Sequence, residues 1–184
     1  GAPVKEAVLS EQLGISRAPI REALQVLVQE GLITSEPQKG KHVRQMTGKE
    51  IYDSYVVAGI LEGAGVAESL PLWTEANMET FRSVVRQMEG KISYATKLDE
   101  LAEIDELFHA TLFMACDNTR LVEMARTSCA TISKYLYYQH WITMFTPREY
   151  ADRHHAVAEA VYSRDVKHVE TALRDHYKET GLRM

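Results

Sequence analysis

Beyond residue 45 the sequence carries helix starts and stops and no strand signal, so that part of the chain can only fold as packed helices. Thr47-Gly-Lys-Glu50 is a capping box, in which the threonine caps and the glutamate bonds back. The spacing predicts a helix from there to about Leu70, stopped by Pro71, and a second over about Thr74–Ile92. A third is expected over about Lys97–Cys116, ending at Asp117-Asn118, and a fourth over about Thr119–Met144. Thr146-Pro147-Arg148-Glu149 opens another with proline at its first position, and this one runs to near Ser163. Asp165 caps the last, which is expected to end near Gly181. About six helices in an antiparallel bundle follow.

Residues 1–45 read differently. Ser10-Glu-Gln-Leu-Gly14 is a short helix ended by glycine. Ser16 can cap a helix over residues 17–30, whose apolar positions Ile20, Ala23, Leu24, Leu27 and Val28 share one face, and Gly31 ends it. Leu32-Ile33-Thr34 and His42-Val43-Arg44 are strand-like, with a turn through Pro37, Lys39, Gly40 and Lys41. The fold expected is mainly α, a winged helix-turn-helix over 1–45 followed by an all-helical bundle over 46–184.

The division matters for charge. The 184 residues carry a formal net charge of −5, which taken whole argues against nucleic acid as a partner. Residues 1–45 are nevertheless net +1, and the remainder is −6. Arg17 and Arg21 stand one turn apart at the start of the second helix, the end that enters a major groove first. Arginine there can meet a guanine edge or a phosphate. Lys39, Gly40 and Lys41 at the wing tip suit a close approach to DNA; the alternative is a solvated basic hairpin. Two cysteines, Cys116 and Cys129, cannot make a disulfide scaffold and read as buried thiols, consistent with a cytoplasmic protein. No run of ~18 apolar residues is free of charge, and nothing at the N-terminus resembles a signal peptide, so no membrane partner is expected.

In the second part, Asp105 and His109 are four apart and share a helix face. His154 and His176 lie on consecutive helices, ten residues before and twelve after a turn near Arg164. At ~1.5 Å per residue they should be nearly level across the hairpin. One carboxylate and three imidazoles could converge as a divalent transition-metal site with open positions, for which zinc, nickel and manganese are not distinguished. Ordinary core or surface histidines are the competing account; His155 and His168 read as exposed. Tyr135, Tyr137, Tyr138 and Trp141 read as core, dimer or pocket residues, and Met114, Met124 and Met144 as core.

The run Leu9-Ser-Glu-Gln-Leu-Gly-Ile-Ser-Arg-Ala-Pro-Ile-Arg-Glu-Ala-Leu24, followed by Leu27, Glu30-Gly-Leu-Ile33 and Gly40, resembles the GntR family of bacterial transcription regulators. The resemblance implies DNA contacts from Ser16, Arg17, Pro19, Arg21, Lys39 and Gly40. It also implies that Gly1-Ala-Pro-Val is the loop after an opening helix that this sequence lacks. Asp105-x-x-Phe108-His109-x-x-Leu112, Asn118-x-x-Leu121, His154-x-x-Val157-x-x-Ala160-Val161, Asp165 and His176 resemble the FCD subgroup of FadR-like regulators. What that implies is a metal on Asp105, His109, His154 and His176, with a small carboxylate effector beside it. It further implies a homodimer on operator DNA, usually as a repressor. Members of the subgroup often carry an arginine four residues before Glu62 to help hold an acidic effector, where this chain has Ala58. Gly59, Gly63 and Gly65 in the same helix mean either close helix packing or a roomier pocket. From the residues alone, a helical-bundle metalloenzyme or a direct metal sensor on the same four side chains stays open.

Overall fold

A computed structural model describes residues 1–184. The first 45 residues form three strands and two helices. Strand β1 (Pro3–Val4) is followed by α1 (Glu6–Leu13) and α2 (Arg17–Gln29). Strands β2 (Ile33–Glu36) and β3 (Gly40–Val43) then make the wing. The sheet is antiparallel in the order β1-β3-β2, with Pro3 opposite His42 and Glu36 opposite Gly40. Gly14 ends α1 in the left-handed region at φ 66°, a conformation glycine adopts without steric cost. The small core here is Ile20, Leu24 and Ile33, with Val4, Leu9, Leu27 and Val28 packed against it.

Seven α-helices follow. They are α3 (Gly48–Ser69), α4 (Glu75–Ile92), α5 (Ala102–Leu112), α6 (Thr119–Thr131), the one-turn α7 (Tyr138–Trp141), α8 (Pro147–Ser163) and α9 (Val166–Arg183). Capping boxes begin α3, α4 and α8, at Thr47, Thr74 and Thr146. Asp165 caps α9 through the amides of Lys167 and His168. Helix α3 runs through the centre, against α9 and α6. Its length and apolar content would also suit a bilayer, but half of it is buried inside the bundle. The main core is a single cluster that includes Phe81, Phe108, Leu112, Val157, Val161 and Leu173.

The glycines of α3 are explained by this packing. A Cβ on Gly59 would lie 2.9 Å from Tyr177 Cβ and 3.2 Å from Arg174 Cα; one on Gly63 would lie 3.2 Å from the Glu170 carbonyl. Gly181 on α9 answers from the other side, pressed against Tyr52 and Tyr55. Close packing, rather than a roomier pocket, accounts for Gly59 and Gly63. Gly65 faces elsewhere, toward Leu121 and Phe113.

Several elements differ from the sequence reading. The opening segment Gly1-Ala-Pro-Val is expected to be loop, yet Pro3 and Val4 pair with β3. The first helix begins at Glu6, not Ser10. Gly40 and Lys41 belong to β3, leaving Pro37–Lys39 as the wing turn. The helix expected over Lys97–Cys116 divides into a 3₁₀ turn (Leu98–Leu101) and α5, which stops at Leu112. Spacing of three turns Leu98 and Leu101 into the core together. The helix expected over Thr119–Met144 stops at Thr131, gives a π-type turn over Ile132–Leu136, and restarts as α7. Tertiary contacts hold that break: Ile132 buries beside Ile51 and Tyr55, and Tyr137 bonds to the backbone of Met46. Helix α9 continues past Gly181 to Arg183 because that glycine packs against α3 and does not terminate a helix. Met124 and Tyr135 are exposed, contrary to a core reading. His155 is only half-exposed, beside Glu89.

Candidate metal and effector site

Helices α5, α8 and α9 bring His109, His154 and His176 together. One ring nitrogen from each lies within 4.8 Å of the others, and the His154 and His176 ring centroids are 4.7 Å apart. The level placement read from the hairpin count holds because Arg164 turns α8 into α9 at φ 55°. Arg153 fastens the two helices. Its guanidinium donates to the His176 carbonyl, to Thr180 Oγ1 at 2.6 Å and to Glu179 at 3.0 Å, and it lies over the Phe145 ring. This ties α8 to the α9 backbone at the level of His154 and His176.

The hydrogen bonds fix which nitrogens are free. His154 Nδ1 lies 2.8 Å from the Tyr150 carbonyl, which can only accept, so Nδ1 carries the proton. His154 Nε2 is then a bare lone pair, buried and with no hydrogen-bond partner. Asp105 Oδ1 sits 3.1 Å from it. Two electron-rich atoms at that separation repel unless a cation lies between them, either a second imidazole proton, which is what lowers Asp105 in the metal-free chain, or a metal ion. His176 Nδ1 is likewise buried without a partner. His109 Nδ1 is 2.7 Å from Glu62 Oε1, on α3. Tyr177 donates to the other oxygen of Glu62 at 2.5 Å. A carboxylate behind an imidazole is the arrangement that orients metal-binding histidines and raises their basicity. The donor set and its orphaned nitrogens fit a divalent transition metal.

Titration follows this geometry. Burial acts against the charged form of His109, but the Glu62 carboxylate outweighs it and raises the pKa to about 9. Burial would raise Asp105, but the His154 imidazole and the charge of His109 hold it at about 2. Burial lowers His154 and takes His176 well below the usual imidazole value, its positive neighbours adding to the effect. Burial, with Glu62 and Asp105 nearby, pushes the Cys129 thiol up to about 12, so it stays protonated.

Next to these residues a cavity of about 250 Å³ opens between α5 and α6. Glu62, Asp105, His109 and Tyr177 line it, together with Arg126, Lys134, Tyr138 and Trp141. A smaller chamber of about 80 Å³ reaches His154, His176 and Arg153 and shares Asp105 and His109 with the larger one. Cys129, expected to be an idle buried thiol, lines both. Ala58 is fully buried and is not among the residues lining either.

In the first part of the chain, Arg17 and Pro19 are exposed at the start of α2. Ser16 occupies the N-cap position, but its side chain makes no capping bond, which leaves the hydroxyl available. Arg21 is exposed and leans on Glu6 at 3.4 Å, and Glu6 also holds Lys41 at 3.0 Å. Lys39 pairs with Glu36 at the wing tip, beside Gly40 at φ 84°. The six expected DNA-facing residues thus fall on the start of α2 and on the wing.

Sequence reasoning missed Tyr177, Arg153 and the pairing of Glu62 with His109. A signal for Glu62 was present, since it is the one charge between Asp53 and Glu68 in an otherwise apolar helix.

A small winged head with exposed arginines, joined to a helical bundle with a buried His/Asp cluster beside a cavity, defines a two-part class of DNA-binding regulator. Residues 53–179 match the FCD domain. Residues 1–43 match the gntR family of bacterial regulatory proteins. The chain belongs to this family, whose members regulate transcription by binding DNA and are not enzymes. It is 26% identical over 182 residues to the HTH-type transcriptional repressor RspR of Escherichia coli K12, covering 97% of this chain and 78% of that one. It is 28% identical over 156 residues to the Nta operon transcriptional regulator of Aminobacter aminovorans, covering 84% and 70%. The fold is that of E. coli McbR/YncC, with TM-score 0.72 at 19% identity over 98% of this chain and 85% of that one.

Proposed function

We propose that this regulator binds an operator as a homodimer and represses transcription in the cytoplasm. A metal-dependent organic-acid effector in the bundle would change its affinity for that operator. The head, residues 1–45, meets DNA through Ser16, Arg17, Pro19, Arg21, Lys39 and Gly40. The bundle, residues 46–184, holds a divalent transition metal on Asp105, His109, His154 and His176. Glu62 orients His109, and Tyr177 orients Glu62. When bound, the metal supplies a Lewis-acidic site for an anionic oxygen of the effector.

The observation that carries this reading is the bare His154 Nε2 facing Asp105 at 3.1 Å beside an open cavity. A second contact supports coupling to the head. The Tyr137 hydroxyl accepts from the Met46 amide at 2.9 Å and donates to the Met46 carbonyl at 3.0 Å. Met46 lies in the short segment between β3 and α3, and Tyr137 lies between the cavity residues Lys134 and Tyr138. A ligand that binds two arrangements of this segment unequally would shift the head between them. Exposed Val57 and Ile60 on α3 supply apolar surface suited to a second copy.

Elemental analysis of the purified protein tests the metal, with about one ion per chain expected. The same measurement on Asp105→Ala and His154→Ala should show it lost. Retention of metal by both variants would overturn the ligand assignment.

A further inference from the structure

Arg126 is the charged residue in the larger cavity that has no work to do within the fold. It stands on α6, lines the cavity, and makes no ion pair. The other cations near the cavity are committed: Lys134 to Glu106 at 2.8 Å, and Arg153 to Glu179, Thr180 and the His176 carbonyl. Helix α3 brings only Glu62 to this cavity, and its position 58 is a buried alanine. The remaining wall is apolar, built from Ala102, Ala110, Ala125 and Ala130, and from Phe113 and Trp141. The Tyr138 and Trp141 rings lie nearly parallel, 18° apart in plane, at one side. Glu62 and Asp105 balance a divalent ion and Glu106 cancels Lys134, so Arg126 leaves the occupied site one positive charge in excess.

We infer that Arg126 is the specificity-determining residue for the effector's anionic group, and that the effector class is an organic acid with a flat apolar body. This rests on the proposed effector reading and deepens it. The guanidinium supplies a planar donor fork that a carboxylate matches in a bidentate pair. The alanine wall and the Trp141 face take the apolar body. An uncharged analogue of the same shape leaves Arg126 facing an amide that cannot neutralise it, and should bind more weakly.

Benzoate, benzamide and acetate are suitable probes on the metal-loaded chain. Trp141 lines the cavity while Trp73 is buried elsewhere in the core, so tryptophan fluorescence reads occupancy directly, with Trp141→Phe as the control. Benzoate should quench and bind at least tenfold more tightly than benzamide or acetate. Arg126→Ala should weaken benzoate at least tenfold with the melting temperature and bound-metal content unchanged, and Arg126→Lys should fall between. Equal benzoate affinity in wild type and Arg126→Ala, benzamide binding as well as benzoate, or no binding of benzoate to wild type would each overturn the inference. Failure of the metal reading is distinguished by elemental analysis: a chain without metal whose benzoate binding still depends on Arg126 keeps the inference and loses the metal.

Discussion

The head and the bundle solve opposite problems. The head has three buried apolar side chains and keeps its proposed DNA-facing groups, Arg17, Arg21 and Lys39, in solvent. The bundle has a core cluster of 21 buried residues and keeps its proposed metal ligands, His154 and His176, buried beside it. A surface that reads DNA needs charged groups free to move onto phosphate and base edges. A site that holds an ion needs donors immobilised and shielded from water. The same chemistry of charge is therefore spent outward in one region and inward in the other. The difference predicts that, with no effector present, damage to one region should leave the other's own binding intact.

The largest expected effect is on the bundle's stability. Phe108 is fully buried between Phe81 and the His154 ring, and Phe108→Ala should cost about 3–5 kcal/mol in chemical denaturation. A smaller loss would mean that the core collapses around the cavity. Glu62→Gln should weaken metal binding by about 10–100-fold in competition with a chelator, with DNA affinity of the metal-free protein unchanged. Gly59→Val should destabilise by about 1–3 kcal/mol, because α9 must retreat from the new side chain. Arg17→Ala should cost about 1–3 kcal/mol in operator binding if it meets a base. If it meets phosphate, it should lower the salt slope by about one. Metal content should not change in either case.

Two measurements probe the connection between the regions. Tyr137→Phe keeps the ring and removes both bonds to Met46, so the Met46 amide should exchange with solvent faster. Operator release by an effector should then be blunted while effector binding persists. An unchanged response would place the coupling elsewhere. The smallest effect is the pH dependence of the metal-free bundle. His109 has its pKa raised from 6.5 to about 9 in the fold. Its stabilising contribution is therefore full below about pH 6.5 and lost as pH rises through about 9. His154 and His176 are shifted downward and act in the opposite sense, withdrawing stability as pH falls below 6.5. Thermal melting of the metal-free chain should peak near pH 6.5. Metal loading should flatten the alkaline limb, because the ion replaces the His109 proton.

How much was legible depended on whether a feature is local. The caps at Thr47, Thr146 and Asp165 are satisfied by amides within three residues, and each appears where the sequence puts it. The cluster of His109, His154 and His176 was legible too, because one hairpin and one helical repeat set its geometry. The π-type turn at Ile132–Leu136 was not. Nothing in Ile-Ser-Lys-Tyr-Leu interrupts a helix, and the break depends on Met46, about ninety residues away. Glu62 behaves likewise: sequence shows a lone acid in an apolar helix, but only the docking of α5 and α9 against α3 makes it the partner of His109 and Tyr177.

By itself, then, the sequence determined the winged layout of the head, the helical class of the remainder, and the convergence of His109, His154 and His176. Each follows from periodicity, capping or spacing over a few turns, where backbone geometry fixes distance. The tertiary structure alone decided that Gly59 and Gly63 serve close packing, that Tyr137 ties the cavity wall to the segment between head and bundle, and that Arg126 is the uncommitted cation in the cavity. Those depend on which helix faces meet, and contacts between distant segments are set by the packing of the whole core.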